Sequence, residues 1–162
     1  MPTLTQEIEL DVAAAVVWNS LKDQHTLFPK IAPQVFSSIE HVEGPEDGVP
    51  GSVRKISFGS IAPPGSYVKE KILAIDMEKH TVTSEEIEGG HLQQGFSKWV
   101  HTLTVVPVND TRSKLLLNTE YEFTDSKAAS NGEVLERTKE GMTQLFKAFE
   151  GYLKSPDVTI ST

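Results

Sequence analysis

The chain has 162 residues, a length that suits one domain and is too short for two of ordinary size. Fifteen Lys and Arg against 23 Asp and Glu leave a net charge of −8, a field that repels phosphate backbones and anionic headgroups, so neither nucleic acid nor a membrane is expected as a partner. There is no cysteine, which excludes a disulfide framework, a thiolate nucleophile and a cysteine-based metal centre. The first residues lack the charged and apolar regions of a secretory leader, and no apolar run approaches a membrane span, so the expected setting is the cytoplasm.

Thr3 to Leu10 alternates, with Leu4, Gln6, Ile8 and Leu10 on one face, as a half-buried strand does. Asp11 reads as the cap of a helix over Val12 to Leu21. Pro29 and Pro33 bracket a second short helix around Leu27 to Ile31. Six strand candidates follow: Val35 to Glu43, Ser52 to Phe58, Ser66 to Asp76, His80 to Ile87, Phe96 to Val106 and Lys114 to Phe123. Turn signals such as Pro63-Pro64-Gly65, Glu88-Gly89-Gly90 and Asn109-Asp110 separate them. Such short connections favour an antiparallel meander.

After Asp125 the period changes. Leu135, Thr138, Met142, Leu145, Phe146, Phe149 and Leu153 recur at three- and four-residue steps, predicting a helix from about Ala129 to Ser155, roughly 40 Å long. Its second half is the more apolar and is expected to pack on the sheet. Residues 156–162 read as a frayed tail. The pattern is that of an α+β domain in which a curved sheet grips one long helix.

Several stretches carry a resemblance: Leu27-Phe28-Pro29-Lys30, Ser37 to Gly44, Lys55-Ile56-Ser57-Phe58, Tyr67-Val68-Lys69, Ile87-Glu88-Gly89-Gly90 and Lys147 to Leu153. Together, and in this order, they resemble the plant pathogenesis-related class-ten proteins, the family of the major birch pollen allergen. The resemblance implies a START-like helix-grip fold: a seven-stranded antiparallel sheet wrapped round a long C-terminal helix, two short helices and a large internal cavity, all in one ligand-binding domain. Within the family, Glu88 to Ser97 is similar to the cytokinin-specific, phytohormone-binding branch, where an aromatic residue usually replaces His91.

With the family alignment setting which face looks inward, the fourth strand turns Val68, Glu70, Ile72 and Ala74 to the interior. Glu70 sits where cytokinin binders of the family use a glutamate to accept from the adenine ring. An ionised carboxylate there accepts only, so the ligand group it holds is an N–H or O–H, and it needs a partner or water to stay ionised. The fifth strand turns in Val82 and Ser84, with Glu86 next on the same face; the sixth, Trp99, His101 and Leu103; the seventh, Leu115, Leu117, Thr119 and Tyr121. Ile39, Ile56 and Phe58 complete the apolar wall on the sheet side. From the helix come Gly141, as a space-maker, Met142 as an adaptable wall and Leu145. His101 is read first as a hydrogen-bonded interior histidine and second as a ligand donor or acceptor. The remaining histidines show no ligand spacing, so no metal site and no cofactor are expected. Gly44 to Gly51 occupies the family's glycine-rich loop, but Glu46 and Asp47 oppose phosphate binding and the loop is read as a rigid hairpin turn.

One branch of the family, norcoclaurine synthase, is an enzyme that uses a Lys, a Glu, a Tyr and an Asp in its cavity. Here the Glu is kept as Glu70, whereas Val82, Val68 and His101 replace the Lys, Tyr and Asp. Without the lysine amine that proton chemistry has no carrier. Ribonuclease activity, described for some members with residues near Lys55, Glu150 and Tyr152, is opposed by the charge of −8. The expectation is a non-enzymatic carrier, store or receptor, a monomer or weak dimer. Its ligand is expected to be a small hydrophobic plant metabolite: a cytokinin-like purine such as trans-zeatin, a flavonoid or a steroid.

Overall fold

The computed structural model describes residues 2–125 and 131–154. In chain order the elements are β1 (Thr3–Leu10), α1 (Ala14–Leu21), α2 (Gln24–Ile31), β2 (Phe36–Glu43), β3 (Val53–Phe58), β4 (Tyr67–Asp76), β5 (Thr81–Gly89), a 3-10 turn (Gly90–Gln93), β6 (Phe96–Pro107), β7 (Ser113–Phe123) and α3 (Asn131–Lys154). All seven strands form one antiparallel sheet in the order β1-β7-β6-β5-β4-β3-β2. The meander from β2 to β7 is thus completed by β1 lying beside β7, and α3 crosses the concave face, as the helix-grip expectation has it. The expected tail at 156–162 lies outside the described residues, as do the proposed first two residues and the last of the long helix. No helix among the described residues is long and apolar enough to cross a membrane.

Local corrections to the sequence reading have physical causes. Asp11 does not cap α1: the helix starts after Ala13, without a side-chain cap, and the Asp11 carboxylate instead accepts from Lys154 Nζ of α3 at 2.6 Å. Helix α2 begins at Gln24, not Leu27, and contains Pro29. A proline is tolerable this near the end of an eight-residue helix because it removes a single intrahelical bond. Ala74 is exposed rather than inward. The β4 and β5 registers slip between Ile72 and Ala74, and such a one-residue irregularity reverses the faces beyond it, so Ile75 takes the inward place.

Two apolar clusters fill the space between sheet and helices. The larger joins Leu10, Val17, Trp18, Phe28, Val105, Leu115, Leu145 and Phe149; Leu115, fully buried, belongs to this packed part. The smaller gathers Phe96, Trp99 and Tyr121 of the sheet under Val134 of α3. What lies between them is hollow.

Candidate functional site

A cavity of about 530 Å³ opens between the concave face of the sheet and α3, within the size range of small-molecule sites. Its wall is mostly apolar. Ile39, Ile56, Phe58, Val68, Val82, Leu103 and Leu117 come from the sheet, and Met142 and Leu145 from α3. Ser84, Trp99, His101, Thr119 and Glu70 are on the wall too.

Two of the expected wall residues are elsewhere. Tyr121 has the inward face of β7 but sits beyond the end of the cavity, its ring centroid 5.7 Å from that of Phe96 and 5.1 Å from that of Phe123. Gly141 lies off the stripe of Thr138, Met142 and Leu145 that faces the cavity, and a Cβ built on it would meet nothing within 4 Å.

A polar belt crosses the otherwise apolar floor, and strand register builds it. Arg54 of β3 is the partner of Glu70 of β4, and Glu70 is the partner of Glu86 of β5. One row over, Ser84, His101 and Thr119 are successive partners across β5, β6 and β7. Glu70 Oε1 lies 3.5 Å from His101 Nε2. Both groups face the cavity rather than bulk solvent. Burial favours the neutral acid of Glu70, but hydrogen bonding to His101 and the charges of His101, His91 and Arg54 outweigh it and hold the carboxyl below its ordinary value. Burial likewise favours the neutral ring of His101, and Glu70, aided by Glu86, outweighs it and raises that pKa.

The second carboxylate is more fully engaged. Glu86 is buried, its Oε1 accepting the His91 backbone N–H and its Oε2 lying against His91 Nδ1, both at 2.8 Å. The far nitrogen of His91 meets Thr138 Oγ1 of α3 at 2.7 Å. Gly90 makes room for this arrangement: a Cβ on its φ +55° backbone would stand 2.7 Å from both Glu86 Oε1 and Val68 Cγ2, and those side chains would have to move.

The loop between β2 and β3 does more than turn the chain. Asp47, Gly48 and Val49 reach the cavity wall, and Asp47 Oδ1 accepts from Arg54 Nε at 2.8 Å. His25 of α2 and His41 of β2 each place a ring nitrogen 3.8 Å from the same carboxylate. Desolvation raises the Asp47 pKa, but the Arg54 bond and charge overcome it and the net shift is downward. The acid that argued against phosphate binding is therefore an internal partner of Arg54.

Sequence reasoning missed Arg54, Asp47, His91 and Thr138 on this wall, and also Trp18 and Gln6. The signal for Arg54 was cross-strand register with Glu70. For His91 there was none, because its contacts depend on the 3-10 turn that follows β5.

Comparison with known proteins agrees with this architecture. The model of the pathogenesis-related protein Bet v 1 family matches residues 1–156. Major strawberry allergen Fra a 1-C of Fragaria ananassa is 35% identical over 153 residues, 94% of this chain and 93% of its own. Among solved structures, Ara h 8.0201 superposes with a TM-score of 0.76 at 29% identity, covering 94% of this chain and 97% of that one. Truncated norcoclaurine synthase from Thalictrum flavum superposes at 0.71 with 21% identity, covering 95% and 94%, a likeness of fold alone.

Proposed function

Because this chain belongs to the pathogenesis-related protein Bet v 1 family, we propose that it works as a cytoplasmic carrier, store or receptor for small hydrophobic plant metabolites, with a cytokinin-type purine as the preferred ligand. The observation that carries this reading is Glu70. It is the carboxylate on the cavity wall that keeps an oxygen outside the hydrogen bonds of the described residues: Asp47 has both oxygens turned to Arg54, Glu86 has both engaged by His91, and Glu70 has Oε1 alone near His101. A free carboxylate oxygen among apolar walls is an acceptor for a ring N–H or a side-chain N–H of a flat ligand. Ser84 and Thr119, in the neighbouring row, supply hydroxyls for a second point of orientation. Val82, which the sequence resemblance sets where norcoclaurine synthase has its lysine, lines this wall and offers no amine, which favours binding over amine chemistry.

Titration with trans-zeatin tests this directly. Trp18 and Trp99 both line the cavity, so binding is expected to quench tryptophan emission, and the ligand is expected to be recovered chemically unchanged. Glu70→Gln is expected to weaken binding by about tenfold or more, the worth of a hydrogen bond to a charged group. Equal affinity in Glu70→Gln would remove Glu70 from the site, and turnover of the ligand would replace the carrier reading with an enzyme.

A further inference from the structure

The charges on the cavity wall restrict what the carrier reading, on which this inference rests, allows as cargo. Six ionisable side chains of the wall close into three pairs: Asp47 with Arg54 at 2.8 Å, Glu70 with His101 at 3.5 Å, and Glu86 with His91 at 2.8 Å. Arg54 is only 7% exposed, and both its Nε and its Nη2 are turned to Asp47. Both nitrogens of His91 are occupied, one by Glu86 and the other by Thr138. The remaining charged wall residue, Lys22, is exposed to solvent at the end of α1, where water hydrates and screens it.

An anionic ligand entering this space leaves its hydration behind and meets Arg54, His91 and His101 each already paired with a carboxylate, and those three carboxylates repel it. An uncharged ligand avoids that cost and still finds the open oxygen of Glu70 and the hydroxyls of Ser84 and Thr119. We propose that the cavity prefers uncharged ligands and rejects organic anions, carboxylates and sulfonates included, even when their apolar skeleton fits.

Two dyes that differ by one sulfonate test this: N-phenyl-1-naphthylamine, which is neutral, and 8-anilino-1-naphthalenesulfonate. At pH 7 the neutral dye is expected to bind the full chain at least tenfold more tightly. In Asp47→Asn, which strips Arg54 of its partner, and in Glu86→Gln, which removes one of the repelling carboxylates, the disadvantage of the sulfonate is expected to shrink at least threefold. Thermal unfolding of each variant shows which of the two is folded and usable. The proposal is overturned if the sulfonate binds the wild-type chain as tightly as the neutral dye. It is equally overturned if the ratio is unchanged in the folded variants, since the preference is then one of hydrophobicity alone. If neither dye binds and trans-zeatin gives no signal, the carrier reading itself fails and takes this inference with it.

Discussion

His91 lies flat on Trp99, with ring centroids 3.5 Å apart and planes 2° from parallel. The stack holds an imidazole that joins β5 to α3, through Glu86 on one side and Thr138 on the other. His91→Ala removes the stack and the ring donor to Glu86 Oε2, leaving the buried carboxylate with the residue-91 backbone N–H alone, so a loss of about 2–4 kcal/mol in urea denaturation is expected. Adding Glu86→Gln is expected to return part of that loss, because an uncharged side chain is far cheaper to leave unpaired. Strict additivity of the two substitutions would show that the pair is not coupled.

The Glu70 and His101 pair gives stability a pH window. The raised pKa of His101 means that its contribution is complete below its ordinary value of 6.5 and is lost as pH rises through the folded-state value. The lowered pKa of Glu70 means that its contribution is complete above its ordinary 4.5 and is lost as pH falls through the folded-state value. Both are present in full between those two ordinary values. The stability difference between wild type and Glu70→Gln is therefore expected to be largest between about pH 4.5 and 6.5 and to shrink on either side. Denaturant midpoints measured across the range check this, and parallel profiles would count against the pairing.

Two glycines are expected to respond in opposite directions to the same change. Gly90→Ala places a methyl group 2.7 Å from Glu86 Oε1 and Val68 Cγ2 on a backbone with φ +55°, so a loss of about 2 kcal/mol or more is expected. Gly141→Ala meets nothing within 4 Å inside α3, and a gain of about 0.5–1 kcal/mol is expected from helix propensity. Thermal melts of the two variants side by side provide the comparison.

The strands, the long helix and most of the cavity wall were legible because a short-range period marks each: alternation groups Val82 with Ser84, and Trp99 with His101 and Leu103, and the family resemblance supplies which group faces inward. Errors arose where a period was interrupted or where a residue's fate was decided far along the chain. Ala74 was misplaced by the β4 irregularity. Asp11 was assigned to the nearest helix, although its partner Lys154 is 143 residues away. Tyr121 had the right face and the wrong depth, since alternation says which side a residue takes but not where along the strand the hollow ends. The three charge pairs were the least legible, because each joins residues on different elements or across an irregular turn.

The pairing of β1 with β7 orders events in time. Thr3 faces Glu120 across that seam, and Gln6 donates to the carbonyl oxygen of Lys139 in α3, so the earliest strand to be synthesised has to wait for the latest strand and helix before it can be placed. Contacts of such long sequence separation slow folding. Until β1 and α3 are placed, the concave face of the strands from β2 to β7 has no helix to cover it. Apolar surface exposed in that way is what makes partly folded chains prone to aggregate, so the late docking of α3 is also what removes that hazard.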